Sequence, residues 1–161
     1  MNDDEVLGQV LGAALNRRGW TLAVAESCTG GNLAGAITSV AGASRYMKGG
    51  IVAYANEVKE LLLGVPKETL ETHGAVSEPT ARAMAEGVRI RLATQMGVGI
   101  TGVAGPDGGS AEKPVGLVFV AVATPEGTVT RHDIWPGDRT EVRAASVRAA
   151  LRLMIDCIEQ V

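Results

Sequence analysis

The first strong pattern in the sequence is an apolar stripe near the N-terminus. Its members recur at intervals of three and four residues, the spacing that places side chains on one face of an α-helix: Val6, Leu7, Val10, Leu11, Ala14 and Leu15. Acidic residues precede the stripe, and two arginines and Gly19 follow it. Because this order suits both the helix dipole and a C-terminal glycine, we predict a helix from Asp3 or Asp4 to Arg18.

Further along, short apolar runs alternate with amphipathic segments. The runs at 21–25, 51–54 and 97–101 are bounded by glycine and polar residues, which predicts buried strands. The intervening segments predict helices. The first of these should begin near Thr29 or Gly30 and end near Val40, and the others should span 56–63, 67–73 and 78–93.

Toward the C-terminus the pattern changes to a hairpin and a last helix. Two β-rich runs, 115–124 and 128–135, flank the turn signal Pro125-Glu126-Gly127. A helix capped by Asp138 or Thr140 should then reach about Gln160. It carries one apolar stripe: Val142, Ala150, Met154, Cys157 and Val161. Alternating elements followed by a hairpin predict one α/β domain over residues 1–161, with a mixed sheet of about five strands between helical layers.

Composition narrows the class of protein. The 161 residues are 46% hydrophobic and 20% charged, as in globular domains, but only 3% aromatic. A net charge of -3 and the scarcity of aromatics argue against nucleic acid as a partner. The N-terminus is acidic, and no apolar run approaches the ~18 residues of a membrane span. We therefore expect a cytoplasmic protein without a secretion signal or a membrane segment, with its two cysteines reduced.

The most informative segment is AESCTGG at residues 25–31. It follows a predicted strand and leads into a helix, so Ser27 should lie at the carboxyl edge of the sheet, where open α/β sheets bind ligands. Backbone N–H groups near Thr29, Gly30 and Gly31 could donate to a developing oxyanion. The segment thus suits a serine nucleophile, although Ser27 and Thr29 could instead simply cap a helix.

Cys28 is a competing nucleophile within the same segment. Neighbouring side chains at 27 and 28 should point in different directions. Cys28 is therefore expected to be a small buried residue, and Ser27 the nucleophile.

A serine nucleophile needs a base. The only histidines, His73 and His132, lie in positions that suggest no Ser-His-Asp set. Lys59 and Tyr54 are better candidates. With Asn56 as N-cap, Lys59 would occupy N3, where its charge is unfavourable, so the helix dipole and burial would both lower its pKa. The alternative is an exposed lysine between two glutamates.

A glycine-rich loop, TGVAGPDGG at 101–109, follows a predicted strand. It matches neither the dinucleotide nor the P-loop pattern, but its N–H groups could still hold an anion. Arg139 could grip an anion with its guanidinium, or could be a solvated residue of the first helical turn. No group of residues has metal-ligand spacing, and Asp107 stands alone in its loop, so we expect neither a metal nor another cofactor.

Six motifs in order resemble the CinA C-terminal domain family: AESCTGG at 25–31, YANEVK at 54–59, HGAVSEP at 73–79, TGVAGPDGG at 101–109, EKPVG at 112–116 and GDR at 137–139. Its stand-alone members are the PncC-type nicotinamide-nucleotide amidohydrolases. The resemblance implies a three-layer α/β/α sandwich and hydrolysis of nicotinamide mononucleotide to nicotinate mononucleotide and ammonia. It also implies Ser27 as the nucleophile, assisted by Lys59 and Tyr54. Some members carry a further N-terminal domain, whose activities we do not expect here.

The residues expected to bind this nucleotide come from the serine segment, the glycine loop and the last helix: Thr29, Gly30, Gly31, Thr101, Gly102, Gly105, Asp107, Gly108, Gly109 and Arg139. We also expect a homo-oligomer, a dimer or higher. A nucleotide-binding regulatory module without turnover is the alternative function.

Overall fold

The computed structural model describes residues 1–160, which form five strands, six α-helices and one short 3₁₀ helix. In chain order these are α1 (Asp3–Arg18), β1 (Leu22–Glu26), α2 (Asn32–Thr38), the 3₁₀ helix (Ala43–Arg45), β2 (Met47–Val52), α3 (Asn56–Leu63), α4 (Lys67–His73), α5 (Glu78–Arg91), β3 (Met96–Gly102), β4 (Leu117–Thr124), β5 (Gly127–Ile134) and α6 (Arg139–Glu159).

The strands form one mixed sheet in the order β2-β1-β3-β4-β5. β1 runs parallel to both β2 and β3, whereas β4 and β5 continue the sheet as an antiparallel hairpin. Helices α1, α2 and α6 cover one face of the sheet, called here face one, and α3, α4 and α5 cover the other, called face two. The predicted three-layer α/β/α sandwich with five strands is confirmed.

The side chains of β1 show how the layers are built. Leu22 and Val24 pack into the face-one core, and the alternate residues Ala23 and Ala25 pack into the face-two core. All five residues of the strand are buried, as expected for a parallel strand covered on both faces. Small residues let the helices approach on face two, since a Cβ at Gly99 would lie 2.5 Å from the Ala81 carbonyl oxygen of α5.

Helix α1 has the predicted bounds, but its buried face differs from the predicted stripe. Val6 and Val10 are 45% and 42% exposed, whereas Gly8 and Gly12 are buried. A Cβ at Gly12 would lie 2.6 Å from the Tyr46 hydroxyl oxygen. The helix therefore turns its glycines inward, because the close approach of Tyr46 leaves no room for a side chain.

Two helix starts also differ from the prediction. α2 begins at Asn32, not near Thr29 or Gly30, because Gly30 and Gly31 have positive φ angles of 56° and 105° that a right-handed helix does not allow. It ends at Thr38, short of Val40.

α3 begins at Asn56 as its first helical residue, with Ala55 as N-cap. Lys59 is consequently the fourth helical residue and not N3.

The second strand lies earlier than predicted. β2 begins at Met47 because Gly49 and Gly50, which bound the predicted run 51–54, are themselves in the ladder, opposite Ala23 and Val24.

The predicted bounds of α4 and the Asp138 cap of α6 are confirmed, and Val161 lies outside the described residues. Within residues 1–160, no helix is both long and apolar enough to cross a membrane.

Candidate active site

Ser27 lies directly after β1, at the carboxyl ends of the parallel strands. Its backbone N–H donates to the carbonyl oxygen of Ile100 in β3 at 3.0 Å. The chain then turns through Gly30 and Gly31 into α2. Ser27 is thus the first residue of a tight strand-to-helix turn, as predicted, and it lies where open α/β sheets bind their ligands.

The carboxylate of Glu26 holds this turn from inside. Glu26 is 1% exposed, and its two oxygens accept the N–H groups of Leu33 and Ala34 at 2.8 and 3.0 Å. Such contacts stabilise a helix N-terminus. The two N–H groups are then occupied by Glu26 and are not available to a ligand. Sequence reasoning missed this role, although an acidic residue that ends a wholly buried strand was the signal for it.

Lys59 of α3 approaches the Ser27 hydroxyl from face two. Its Nζ lies 3.0 Å from the Ser27 Oγ and also donates to the carbonyl oxygens of Ala53 and Tyr54, at 2.8 and 3.0 Å. The lysine is 1% exposed, and this burial lowers its pKa below the ordinary value. Lys59 lies at the fourth position of α3 and not at the predicted N3 position. Its burial accounts for the lowering of its pKa.

The Lys59 Nζ faces three oxygen acceptors, which suit the three donors of its ammonium form and also allow proton exchange with Ser27 in its neutral form. A neutral lysine has two N–H donors and one lone pair. The two carbonyls accept both donors, so the lone pair is left to receive the hydroxyl proton of Ser27. A hydroxyl beside a buried amine of lowered pKa is the arrangement of an activated serine nucleophile.

Tyr54 contributes to two different contacts. Its carbonyl oxygen accepts from Lys59, whereas its hydroxyl lies 3.0 Å from an Nη of Arg139. Arg139 also donates to the Gly105 carbonyl oxygen at 2.8 Å. The structure therefore brings together three distant segments predicted for the site, but it bonds the Tyr54 hydroxyl to Arg139 and not to Ser27 or Lys59.

A cavity of about 360 Å³ adjoins Arg139, between the glycine loop and the start of α6. It is lined by Ala104, Pro106, Val115, Gly137, Asp138, Arg139 and Thr140. Gly105, Gly108 and Gly109 shape the loop with φ angles of 82°, 82° and 81°. Asp107 is exposed at the tip of this loop.

Thr101 and Gly102 have structural partners. The Thr101 hydroxyl donates to the Ala75 carbonyl oxygen at 2.8 Å, and Thr101 is 1% exposed. A Cβ at Gly102 would lie 2.7 Å from the Leu117 carbonyl oxygen. The Thr101 hydroxyl therefore holds β3 to the segment before α5, and Gly102 allows β4 to approach closely. Contact of either residue with substrate stays a prediction.

Fewer backbone N–H groups of the turn are available to an oxyanion than predicted. The Gly30 N–H donates to the Ser27 carbonyl oxygen at 3.1 Å and is already committed. The Thr29 and Gly31 N–H groups donate to no acceptor within residues 1–160. Thr29 has no exposed surface, so both its side chain and its N–H are closed to a ligand in this conformation, and its contact with substrate stays a prediction.

Cys28 and the histidines lie outside this cluster. Cys28 packs into the face-one core, opposite to the direction of Ser27, and burial raises the pKa of its thiol to about 11. His73 is the last residue of α4, and His132 of β5 packs against Phe119 of β4. Among residues 1–160, no three His, Cys, Asp or Glu side chains are grouped so that they could hold a metal ion.

Arg143 is a further residue at the turn that sequence reasoning missed. It lies on α6 and donates to the carbonyl oxygens of Cys28 and Thr29. No local pattern could have shown this, because the contact joins residues more than a hundred positions apart.

Comparison with known proteins identifies the family. The family model described as CinA C-terminal domain matches residues 4–158. The chain is 54% identical over 155 residues to a CinA-like protein of Gloeobacter violaceus, covering 94% of this chain and 36% of that protein. It is 53% identical over 148 residues to a CinA-like protein of Gemmatimonas aurantiaca, covering 92% and 35%. The chain thus spans about a third of the length of these curated relatives.

Solved structures agree over nearly their whole length. The competence/damage inducible protein CihA of Agrobacterium tumefaciens superposes with a TM-score of 0.94 at 44% identity, covering 97% of this chain and 96% of that one. A CinA superfamily protein of Klebsiella pneumoniae gives 0.95 at 34% identity, covering 99% and 100%. The chain therefore belongs to the CinA C-terminal domain family.

Proposed function

We propose that this protein is a serine amidohydrolase that converts nicotinamide mononucleotide to nicotinate mononucleotide and ammonia. The observation that carries the proposal is the buried contact of 3.0 Å between the Lys59 Nζ and the Ser27 Oγ, with two carbonyls occupying the other donors of the amine. The substrate follows from the family resemblance of the six sequence motifs, which include every residue of this contact except Ala53.

In the first half-reaction Ser27 Oγ attacks the carboxamide carbon. The new C–O bond forms as the carbonyl electron pair moves to oxygen, and Lys59 takes the hydroxyl proton. The C–N bond then breaks, and Lys59 returns this proton to the departing nitrogen, which leaves as ammonia. Two N–H groups of the turn that are uncommitted within residues 1–160, those of Cys28 and Gly31, belong to residues that keep some exposed surface and could hold the oxyanion.

In the second half-reaction water replaces the amide. Lys59 accepts a proton from the water, whose oxygen attacks the ester carbon and forms the acid. The ester C–O bond breaks, and the proton returns to the Ser27 Oγ. The product is nicotinate mononucleotide, and the enzyme is restored with no metal step required.

The phosphate of the substrate needs a cationic group at a distance from the reacting amide. Arg139 is exposed, borders the cavity beside the glycine loop and already holds two oxygen acceptors, those of Gly105 and Tyr54. A phosphate can replace these neutral acceptors with stronger, charge-assisted contacts. We therefore assign the phosphate to Arg139 and the cavity beside it.

The test is release of ammonia from nicotinamide mononucleotide by the purified protein. Ser27→Ala should abolish release but leave the fold and calorimetric binding of the nucleotide largely intact. Ser39→Ala is the matched control, because Ser39 is an exposed serine at the end of α2 and should leave turnover unchanged. Nucleotide binding without ammonia release by the natural protein would instead indicate a regulatory module, and full activity of Ser27→Ala would exclude Ser27.

A further inference from the structure

Tyr54 exposes an aromatic ring in a chain that has few of them. The sequence contains two tryptophans, two tyrosines and one phenylalanine, all within residues 1–160. Tyr46 is buried, and Trp20, Phe119 and Trp135 are half-buried. Tyr54 is 59% exposed and, among residues 1–160, packs into no hydrophobic cluster. Core packing therefore does not account for this ring.

Two contacts hold this tyrosine at its two ends. At the backbone end, its carbonyl oxygen accepts from the Lys59 Nζ at 3.0 Å, and this amine lies 3.0 Å from the Ser27 Oγ. At the other end, its hydroxyl lies 3.0 Å from an Nη of Arg139. The ring therefore spans the interval between the proposed nucleophile and the proposed phosphate site.

Nicotinamide mononucleotide has its parts in the same order. Its carboxamide, which must reach the Ser27 Oγ, is attached directly to the pyridine ring, and the ribose and the phosphate follow from the ring nitrogen. With the carboxamide at Ser27 and the phosphate at Arg139, the substrate ring must lie in the interval that the Tyr54 ring spans. The exposure of Tyr54 leaves its ring open to stacking with a flat ligand ring.

The substrate ring also carries a charge that the tyrosine can recognise. Its nitrogen is bonded to ribose, so the ring is a pyridinium with a formal positive charge. The face of a tyrosine ring attracts a cation that lies within about 6 Å of its centre. A carboxylate would attract the pyridinium too, but it would also bind Arg139 and compete with the phosphate. A neutral aromatic face attracts the cation without that competition.

We infer that the Tyr54 ring is the surface on which the pyridinium ring of the substrate stacks, and that it makes the site selective for a cationic ring over a neutral one. The inference rests on the proposed function, and it gives Tyr54 a role in specificity that does not need its hydroxyl. The alternative is that the tyrosine acts through its hydroxyl alone, by its contact with Arg139. Removal of the ring and removal of the hydroxyl should therefore have different effects.

The experiment compares nicotinamide mononucleotide with its reduced dihydro form, which keeps the carboxamide, the ribose and the phosphate but has a neutral ring. Both are titrated calorimetrically into Ser27→Ala, which in the proposed mechanism binds the nucleotide without hydrolysing it. Ser27→Ala should bind the cationic form more tightly by about 2- to 30-fold, the range of one cation–π contact. Adding Tyr54→Phe should keep this preference, and adding Tyr54→Leu should abolish it.

Tyr54→Phe is the matched control, because it keeps the ring and removes the hydroxyl. Both nucleotides carry the phosphate, so any loss that comes from the hydroxyl falls equally on both and cancels in the ratio of their dissociation constants. Every variant keeps the backbone carbonyl that anchors Lys59. In the background that retains Ser27, Tyr54→Leu should therefore raise KM and leave kcat close to its natural value. Thermal unfolding verifies that each variant is folded.

If Tyr54→Leu keeps the preference for the cationic form, whether or not both forms bind more weakly, the inference is wrong. Ammonia release by the natural protein, with no preference between the two forms in Ser27→Ala, would also overturn it and leave the proposed function intact. A preference that depends on the ring, without ammonia release by the natural protein, would support the inference and remove the proposed hydrolysis. Binding of neither form would overturn the proposed substrate and this inference together.

Discussion

Two side-chain pairs meet at the carboxyl edge of the sheet, and they differ in burial. The Ser27–Lys59 pair lies between β1 and α3, where the lysine is 1% exposed. The Tyr54–Arg139 pair joins the end of β2 to the start of α6, where the tyrosine is 59% exposed. Both have a contact of 3.0 Å, so the distance alone does not distinguish their roles.

Burial changes what each contact does. Around Lys59 it lowers the pKa and thereby makes an amine available as a base. At Arg139, water and salt screen the charge, so the contact with Tyr54 is weak and a ligand can replace it. We therefore expect changes to the buried pair to act on kcat and changes to the exposed pair to act on KM, and each substitution below tests that division.

The largest effect should come from Lys59→Arg. Arginine keeps the positive charge but does not release its proton near neutrality, so kcat should fall by about 10³-fold or more, the upper range for loss of a general base. In the natural protein the base works only when deprotonated. The rate should therefore rise with pH through the lowered pKa of Lys59, and this limb should be absent from pH–rate profiles of Lys59→Arg.

Lys59→Met serves as the matched variant, since it keeps a side chain of similar length and removes the amine. Both variants should bind the nucleotide and be similarly inactive. A folded Lys59→Arg protein with near-normal turnover and a surviving pH limb would show that only the charge matters at this position. Tyr54 would then be the next candidate for the base.

A smaller effect is expected from Arg139→Gln. Loss of a charge-assisted contact costs about 1.5–3 kcal/mol, which corresponds to a rise in KM of roughly 10- to 150-fold with kcat nearly unchanged. Steady-state kinetics with nicotinamide riboside, which lacks the phosphate, provide the control. The riboside should be a poor substrate for both proteins, and Arg139→Gln should not worsen it further.

An equal loss with both substrates would contradict the phosphate assignment. Lys113→Gln tests the other cationic side chain near the loop, whose Nζ donates to the His73 carbonyl oxygen. If only this variant shows the phosphate-dependent rise in KM, the anion site lies at Lys113 and not at Arg139.

Tyr54→Phe should have a milder effect. The substitution removes the hydroxyl that Arg139 contacts but keeps the backbone carbonyl that anchors Lys59. Once the phosphate replaces the hydroxyl on Arg139, the freed hydroxyl can donate to the phosphate. We therefore expect its loss to raise KM by about two- to ten-fold, the value of one ordinary hydrogen bond, with the pH limb of kcat unchanged. A fall in kcat as large as that of Lys59→Arg would show that the tyrosine takes part in proton transfer.

The sequence predicted the layers of this fold well because apolar runs and amphipathic segments indicate buried strands and covering helices, although the predicted stripe of α1 included the exposed Val6 and Val10. It predicted helix starts less well. The sequence does not show that Gly30 and Gly31 have positive φ angles, so the start of α2 was predicted too early. Ser27 and Lys59, the candidate nucleophile and base, were predicted from local motifs, and the structure brings them to within 3.0 Å of each other. The lysine was noticed through a capping rule that the structure corrects, because Ala55 and not Asn56 is the N-cap.

What local reasoning missed were contacts between elements far apart in the chain. Arg143 reaches the turn from α6, and the Tyr54 hydroxyl meets Arg139 across a similar separation. Such contacts depend on which helices share a face, which follows from the strand order and not from any one segment. Glu26 differs, because its partners in α2 are close in sequence and a buried acidic strand end was visible.

The smallest effect on rate should come from Cys28→Ala, which tests whether burial excludes the neighbouring thiol. Cys28 packs in the face-one core, and its pKa of about 11 keeps it a protonated, poorly nucleophilic thiol near neutrality. Turnover should stay within about two-fold, while the free energy of unfolding falls by about 1 kcal/mol from lost packing. Cys157→Ala is the matched control, because Cys157 is equally buried in the same core. If Cys28→Ala alone abolished turnover, at a stability equal to that of Cys157→Ala, the nucleophile would be the thiol and the contact between Ser27 and Lys59 would be structural.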